Sequence, residues 1–229
     1  MISFKTFIRQ IINGKFANAI LLVHETFDES GMNLSTPLKW EFFEDLCHRY
    51  KEKIVSLKDL LENSNLKHRY ALTFDDGLLD TFERAYPFLK SLGIPFTIFL
   101  TVDLIGKTGY MNQKQVKEIA SDPLVTIGSH GYTHSVMNNK NIKHEVVDSK
   151  IELEKISGQH INMIAYPYGQ STRKVRKMAK KIYKYGFGVM NFGVSNKTKW
   201  FKMRIPRYSF ETSKYNRQIR LIEEMNRGK

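Results

Sequence analysis

Two short segments of this chain carry the residue types that hydrolysis at a metal ion requires. The segment TFDDG at 73–77 places the carboxylates of Asp75 and Asp76 side by side, and the segment SHGYTH at 129–134 places His130 and His134 four residues apart. A metal-hydrolase site needs about three protein ligands and an open coordination position. The two segments together supply three ligands and one further carboxylate.

The four side chains can divide the work between them. We expect His130 and His134 to lie on one helical turn with both imidazoles on the same face, and Asp76 to complete the ligand set. Asp75 then stays free to accept a proton, because a metal ion stabilises the anionic form of water while a nearby carboxylate removes its proton. Two nitrogens and one carboxylate favour zinc, and the same ligand types also suit cobalt, nickel or iron.

Each segment taken alone has an ordinary explanation. An Asp-Asp-Gly sequence is a common turn or helix cap, and a histidine pair with this spacing can arise by chance in a chain with seven histidines. The metal-site hypothesis therefore depends on where the two segments lie in the fold.

Strand-like and helix-like segments alternate along most of the chain. The pattern predicts strands at 19–23, 54–57, 70–74, 95–101, 125–127, 163–166 and 187–190, and helices at 40–50, 57–63, 80–92, 112–120, 143–157 and 172–185. Alternation of this kind implies parallel strands with helical crossovers. The predicted fold class is α/β, a single (β/α) barrel of seven or eight strands that is incomplete or distorted.

Candidate site residues follow the predicted strands. His24, Asp75, Asp76, His130 and Tyr168 each come just after a strand, and the chemistry of (β/α) barrels gathers at the carboxyl ends of the strands. We predict one catalytic domain over 1–229 with an amphipathic helical extension at 1–18. The apolar stripe of that extension either packs on its own domain or contacts a membrane surface.

Composition narrows the partners and the compartment. Hydrophobic content of 41% with 26% charged residues is typical of a soluble globular protein. The single Cys47 favours a reducing compartment, and lysines and arginines interrupt the apolar residues of 1–20, unlike a secretory signal. We therefore expect a cytoplasmic protein.

The net charge of +13 favours anionic partners. A phosphorylated sugar carrier or the anionic inner face of a membrane would fit. The basic residues over 173–184 form either a solvated surface or a membrane-docking face. No nucleic-acid-binding motif is recognisable, so we expect no nucleic acid.

The chain resembles the polysaccharide deacetylases, carbohydrate esterase family four with the NodB-homology fold, over roughly residues 19 to 210. TFDDG is similar to the first motif of the family, SHGYTH to the second, and YPYG at 166–169 to most of the third. The resemblance implies that Asp75 is the catalytic base and that Asp76, His130 and His134 bind the metal. It also implies that the backbone N–H of Tyr168 helps to hold the oxyanion.

Two departures from the family pattern concern the catalytic groups. The third motif usually begins with an arginine that orients the catalytic aspartate, and Ala165 stands there. The late Leu-x-His motif with the general-acid histidine is missing, but LLVH at 21–24 resembles the early histidine segment of a branch that includes poly-N-acetylglucosamine deacetylases. We predict His24 as the general acid, with a buried structural histidine as the alternative.

The segment RIPR at 204–207 resembles a segment common in the same branch. Arg207 or Arg204 could replace the missing arginine by pairing with Asp75 and lowering its pKa. Alternatively, both bind phosphate or sugar carboxylate groups or lie at a strand end without a role in the site.

The resemblance implies a metal-dependent carbohydrate N-deacetylase. We expect it to act on an acylated aminosugar linked to a nucleotide or lipid diphosphate, as an intracellular precursor of surface polysaccharide, with membrane contact on the inner face as a further expectation. A sugar deformylase is one alternative. A carbohydrate-binding or scaffold protein on a degenerate esterase fold is the other, and Ala165 supports it.

Overall fold

A computed structural model describes residues 18–26, 37–63, 65–190, 194 and 202–226. The amphipathic helix predicted at 1–18 lies outside these residues, apart from Asn18. In the part of the chain that the structure describes, no helix is both long and apolar enough to cross a membrane.

Seven strands form one sheet in the order β6-β5-β4-β3-β2-β1-β7, and every neighbouring pair is parallel. The strands are β1 Ala19–Val23, β2 Tyr70–Asp76, β3 Phe96–Leu100, β4 Val125–Ser129, β5 Met163–Ala165, β6 Tyr185–Phe187 and β7 Tyr208–Ser209.

The sheet curls into an incomplete (β/α) barrel, which confirms the predicted fold class. The segment 205–209 contacts both edges of the curl. Ile205 pairs with Phe187 on one side, and Tyr208–Ser209 pairs with β1 on the other. The N–H of Met190 also donates to the carbonyl of Arg207 over 3.1 Å. Residues 205–209 therefore connect the two edges of the curled sheet.

Helices connect the strands and cover the outside of the sheet. The α-helices are α1 Trp40–Tyr50, α2 Leu57–Glu62, α3 Tyr86–Leu92, α4 Gln113–Ala120, α5 Ser149–Ser157, α6 Arg173–Ala179 and α7 Tyr215–Asn226. Two π-helical turns, Thr81–Ala85 and His144–Asp148, lead directly into α3 and α5. Short 3₁₀ turns are Lys51–Lys53, Val102–Leu104, Pro167–Gly169 and Thr212–Lys214.

Three predicted elements are wrong in extent. The strand predicted at 54–57 is one bridge from Ile54 to Tyr70, because Leu57 already begins α2. The helix predicted at 172–185 ends at Ala179, and the strand predicted at 187–190 runs from Tyr185 to Phe187. The chain is extended earlier than expected, since the N–H of Lys184 donates to the carbonyl of Asn162 beside β5.

Strand alternation separates an inner from an outer layer of side chains. On β2, Leu72 and Phe74 belong to the large apolar cluster beneath the helices. Ala71 belongs to a second cluster that includes Phe99 and Phe187. Asp75 lies four residues after Ala71, so it points to the same face of the sheet, and it is 1% exposed. The alternation therefore places a carboxylate inside the barrel at its carboxyl edge.

Candidate metal and hydrolase site

The end of β2 delivers two neighbouring carboxylates to the same place. Asp76 has φ 72 and Gly77 has φ 82, so two successive residues lie in the left-handed region. In a regular strand the side chain of Asp76 would point to the opposite face of the sheet from Asp75, and the left-handed turn changes its direction. The Nε2 atom of His130 lies 3.6 Å from Oδ2 of Asp75 and 3.6 Å from Oδ1 of Asp76.

The two histidines lie on the loop after β4, and the prediction that they share a helical turn is wrong. Gly131 has φ 88 and His134 has φ 60, and both values are incompatible with a right-handed helix. The loop nevertheless brings the imidazoles together, with ring centroids 5.1 Å apart.

Hydrogen bonding fixes the ring of His130. Its Nδ1 lies 2.9 Å from the carbonyl oxygen of Ala165. Because a carbonyl oxygen only accepts, Nδ1 carries the proton, and Nε2 presents its lone pair toward Asp76. Burial lowers the pKa of His130 despite the neighbouring Asp75 and Asp76 carboxylates. A neutral imidazole oriented in this way is the form that binds a metal.

The predicted metal ligands Asp76, His130 and His134 converge. One ligand atom from each lies within 4.8 Å of the other two. Oδ1 of Asp76 lies 3.1 Å from Nε2 of His134, yet among the described residues this buried oxygen has no hydrogen-bond partner. Two nitrogens and an unsatisfied carboxylate oxygen facing one point fit a divalent cation.

Asp75 is held by an arginine from the far end of the chain. Nη1 and Nη2 of Arg207 donate to Oδ1 and Oδ2 of Asp75 over 2.6 and 2.7 Å. Arg207 is fully buried, and its Cζ lies 5.1 Å from the ring centroid of Phe99. Arg204 is exposed. Of the two arginines in RIPR, Arg207 therefore makes the contact predicted with Asp75.

The charge of Asp75 is set by two opposing effects. Burial would raise the pKa of its carboxyl, but the adjoining Arg207 guanidinium and then His130 lower it, and the net pKa lies well below the ordinary value. Asp75 is therefore ionised at neutral pH, which is the state required of a proton acceptor.

His24 lies at the same edge of the barrel as Asp75. Val23 pairs with Phe74 in the parallel register of β1 and β2, so the residues that follow them come next to each other. The charge of His24 is among the influences that lower the pKa of Asp75. His24 therefore lies near Asp75, and its role as general acid stays a prediction.

Tyr168 stands at the rim of the site. Its φ of 59 and ψ of 14 are left-handed, and its side chain is 62% exposed. Its ring centroid lies 5.0 Å from that of His134. The loop after β5 therefore borders the candidate metal site, and the oxyanion role of the Tyr168 N–H stays a prediction.

Two carboxylates that anchor the loops of the site were not predicted. Asp80 accepts hydrogen bonds from the N–H and the hydroxyl of Thr26, both over 2.8 Å. Glu145 accepts from the loop that carries the histidines. Both lie in helical segments whose sequence pattern does not distinguish them from solvated acidic residues.

Comparison with known proteins agrees with this geometry. The family model described as "Polysaccharide deacetylase" matches residues 62–186, more than half of the chain. This chain belongs to that family. The matched segment includes β2, β4 and the loop with both histidines. Asp75 and the three candidate ligands therefore all lie within the part of the chain that matches the family.

Individual relatives match parts of this chain. YxkH of Bacillus subtilis is 34% identical over 113 residues, which cover 48% of this chain and 40% of that protein. The poly-beta-1,6-N-acetyl-D-glucosamine N-deacetylase of Staphylococcus epidermidis is 27% identical over 165 residues, covering 62% and 57%. The matched part thus spans about two to three fifths of the length of these relatives.

Solved structures share the fold. The Streptococcus pyogenes deacetylase PplD, solved in complex with acetate, superposes with a TM-score of 0.78 at 22% identity. The superposition covers 89% of this chain and 97% of PplD. At this level of identity the likeness shows the architecture of the barrel.

Proposed function

We propose that this protein is a metal-dependent hydrolase that removes the N-acetyl group of an aminosugar. The observation that carries the proposal is the convergence of Asp76, His130 and His134 beside an Asp75 held by Arg207. These three residues would hold the metal. A divalent metal bound there supplies Lewis acidity, which polarises the amide carbonyl and lowers the pKa of water.

Asp75 acts as the general base. It accepts the proton of the attacking water as the water adds to the amide carbonyl, and the bidentate contact with Arg207 keeps its carboxylate oriented and ionised. The N–H of Tyr168 donates to the oxygen on which negative charge develops. His24 donates a proton to the leaving nitrogen as the C–N bond breaks, so the amine departs neutral.

The alternative of a degenerate carbohydrate-binding protein rested on Ala165. Because Arg207, the residue just before β7, contacts both oxygens of Asp75, an arginine does face the proposed catalytic aspartate. The departure in the third motif therefore no longer favours an inactive site. A role of Arg204 in binding phosphate or carboxylate groups of the substrate stays a prediction that its exposure permits.

The substrate class follows from the relatives. The staphylococcal relative named above is a poly-beta-1,6-N-acetyl-D-glucosamine N-deacetylase, and we propose an N-acetylated glucosamine as the reacting unit here. Its carrier stays a prediction, with nucleotide- or lipid-diphosphate-linked precursors favoured by the net charge of +13. The cytoplasmic location, the contact with the inner membrane face, the single domain and the choice of zinc also stay predictions.

Mass-spectrometric screening of acyl loss tests the proposal. Protein stripped with a chelator and reloaded with zinc, cobalt, nickel or iron is offered poly-N-acetylglucosamine oligomers, nucleotide- and lipid-linked N-acetyl aminosugars, and their N-formyl counterparts. We expect a loss of acetyl that the chelator abolishes and metal restores. Loss of formyl alone would identify the deformylase, and no release from any substrate by the metal-loaded protein would contradict the proposal.

A further inference from the structure

The loop that carries both candidate histidine ligands wraps around a buried carboxylate. Glu145 belongs to the π-helical turn His144–Asp148 and is 1% exposed. Its Oε2 accepts hydrogen bonds from the N–H of Tyr132 over 2.8 Å and of Thr133 over 3.2 Å. Its Oε1 accepts from the hydroxyl of Thr133. Three donors between the two histidines thus converge on one side chain.

Further contacts hold the same loop to the same turn. The ring of Tyr132 stacks on that of His144, with centroids 4.0 Å apart and an interplanar angle of 29°. A side chain at Gly131 would bring its Cβ within 2.7 Å of Oε2 of Glu145. The left-handed Gly131 therefore lets the backbone close around the carboxylate, and a bulkier residue there would push the loop away from it.

A hydroxyl chain joins this turn to the end of β4. The hydroxyl of Ser149 donates to the carbonyl of Glu145 over 2.6 Å. It lies 3.0 Å from the hydroxyl of Ser129, which must then be the donor of that pair. The hydroxyl of Ser129 in turn accepts from the N–H of Gly131 over 3.2 Å. The loop is thus held from both sides.

We infer that Glu145 is a positioning residue that sets the conformation of the loop in which His130 and His134 bind the metal. The inference rests on the metal site proposed above. The loop is not helical, and a left-handed His134 is a costly backbone conformation, so the spacing of the imidazoles depends on contacts outside the loop. Glu145 provides three of them from a helical turn, and in the described part of the chain it makes no hydrogen bond or ion pair with either histidine.

An amide reproduces only part of this carboxylate. Two carboxylate oxygens can accept from the two N–H groups and from the Thr133 hydroxyl together. The Glu145→Gln side chain has one oxygen, so its NH₂ group would face either the two N–H groups or the Thr133 hydroxyl, which would have to turn and accept. Substitution of a residue that supports metal ligands in this way typically weakens metal binding by about 10- to 100-fold.

Two measurements on the full chain test the inference. The first is the dissociation constant for Co²⁺ in competition with a chromophoric chelator, together with the visible spectrum of the bound cobalt. The second is amide hydrogen exchange of Tyr132 and Thr133 in the metal-free protein. For Glu145→Gln we expect cobalt binding weakened by about 10- to 100-fold, an altered cobalt spectrum, and faster exchange at both amides.

Matched variants separate positioning from general damage. Glu118→Gln makes the same change on the exposed face of α4 and should leave all three readouts at wild-type values. Thr133→Val removes one donor to Glu145 and should weaken cobalt binding in the same direction, whereas Thr133→Ser keeps the hydroxyl and should restore it. If Glu145→Gln fails to fold, the comparison of Thr133→Val with Thr133→Ser tests the positioning role instead.

The outcomes distinguish this inference from the proposed function. Wild-type cobalt affinity and spectrum in folded Glu145→Gln, or in Thr133→Val if the former does not fold, would overturn the positioning role and leave the proposed function standing. A wild-type protein that binds no divalent metal would overturn both. Weakened cobalt binding with unchanged exchange at Tyr132 and Thr133 would also contradict the inference, because Glu145 acts through the backbone of this loop.

Discussion

At the scale of single residues, the site combines two adjacent carboxylates with different hydrogen bonding. Both oxygens of the first accept hydrogen bonds, and among the described residues one buried oxygen of the second has no hydrogen-bond partner. Arg207 satisfies both oxygens of Asp75, while Oδ1 of Asp76 stays buried without a hydrogen-bond partner among the described residues. Two adjacent aspartates thus have different chemistry because their neighbours differ. This difference fits the proposed roles, with Asp75 as proton acceptor and Asp76 as metal ligand.

Replacing Asp75 should separate catalysis from metal binding. We expect Asp75→Asn to lose acyl release by at least about 10²-fold, because general-base catalysis contributes on that order or more, while the variant still binds cobalt. Steady-state kinetics and chelator competition measure the two effects. Loss of metal together with activity would mean that Asp75 is a ligand.

Removing the partner of Asp75 should be costlier than removing the pair. Arg207→Met leaves a buried charge uncompensated, which costs about 3–5 kcal/mol of unfolding free energy. The double variant Asp75→Asn with Arg207→Met should be more stable than Arg207→Met alone, as measured by urea unfolding. Strictly additive losses would show that the two side chains are not energetically coupled.

The ion pair also predicts a pH dependence. Because the pKa of Asp75 is lower in the folded protein than its value of about 3.9 in an unfolded chain, its charged form stabilises the fold at pH values above the unfolded pKa. This contribution is lost as the pH falls through the folded pKa.

The difference in unfolding free energy between wild type and Asp75→Asn, measured with chelator present, is therefore expected to stay constant from about pH 7 to pH 5 and to shrink below about pH 4. A difference that already halves between pH 7 and pH 5 would contradict the low pKa of Asp75.

At the scale of elements, short polar contacts tie the strand ends to the helical turns behind them. Asp80 ties the end of β1 to the turn after β2 through the N–H and hydroxyl of Thr26, and Glu145 does the same for the loop after β4. Both acceptors lie beside or within π-helical turns, which are frequent at functional sites. The loops of the site are therefore anchored at identifiable carboxylates.

Loosening the first anchor should affect His24 more than the metal. We expect Asp80→Ala to cost about 1–3 kcal/mol of unfolding free energy, since it leaves the Thr26 donors unpaired, and to lower kcat while cobalt affinity is kept. Thr26→Val removes one of the two donors and should have a smaller effect. Unchanged kcat in both variants would argue against His24 as the general acid.

The sequence predicts most of the elements and the residues at their ends. Strands 19–23 and 70–74 and helix 40–50 are confirmed because each is a strongly patterned segment. The pairing of Asp75 with Arg207 rather than Arg204 was left open, since sequence pattern does not define contacts across the barrel. The helical turn expected for the histidines is wrong because Gly131 and His134 are left-handed and Glu145 holds the loop from another element.

At the scale of the whole molecule, the candidate metal site joins segments distant in the sequence into one unit. β2 and the loop after β4 contribute the ligands, β5 provides the Ala165 carbonyl for His130, and β7 follows Arg207 directly. A cation bound by Asp76, His130 and His134 would bridge two of these segments. Binding to the folded state alone adds stability by mass action.

Metal removal should therefore lower the melting temperature. Free zinc at about 100 times its dissociation constant adds about 2.7 kcal/mol, which for a domain of this size corresponds to a shift of roughly 5–10 °C. Calorimetry with and without chelator measures the shift, and His134→Ala should nearly abolish it. Equal shifts in wild type and His134→Ala would place the stabilising metal elsewhere.

The order of synthesis gives the Asp75–Arg207 contact a temporal consequence. During synthesis the set Asp76, His130 and His134 is complete about seventy residues before Arg207 is added. This interval lasts roughly 4 to 15 s at typical elongation rates. During this time a nascent chain can present its complete ligand set while its proton acceptor lacks a counter-ion. The counter-ion of Asp75 thus arrives next to the last strand, after the residues proposed to bind the cation.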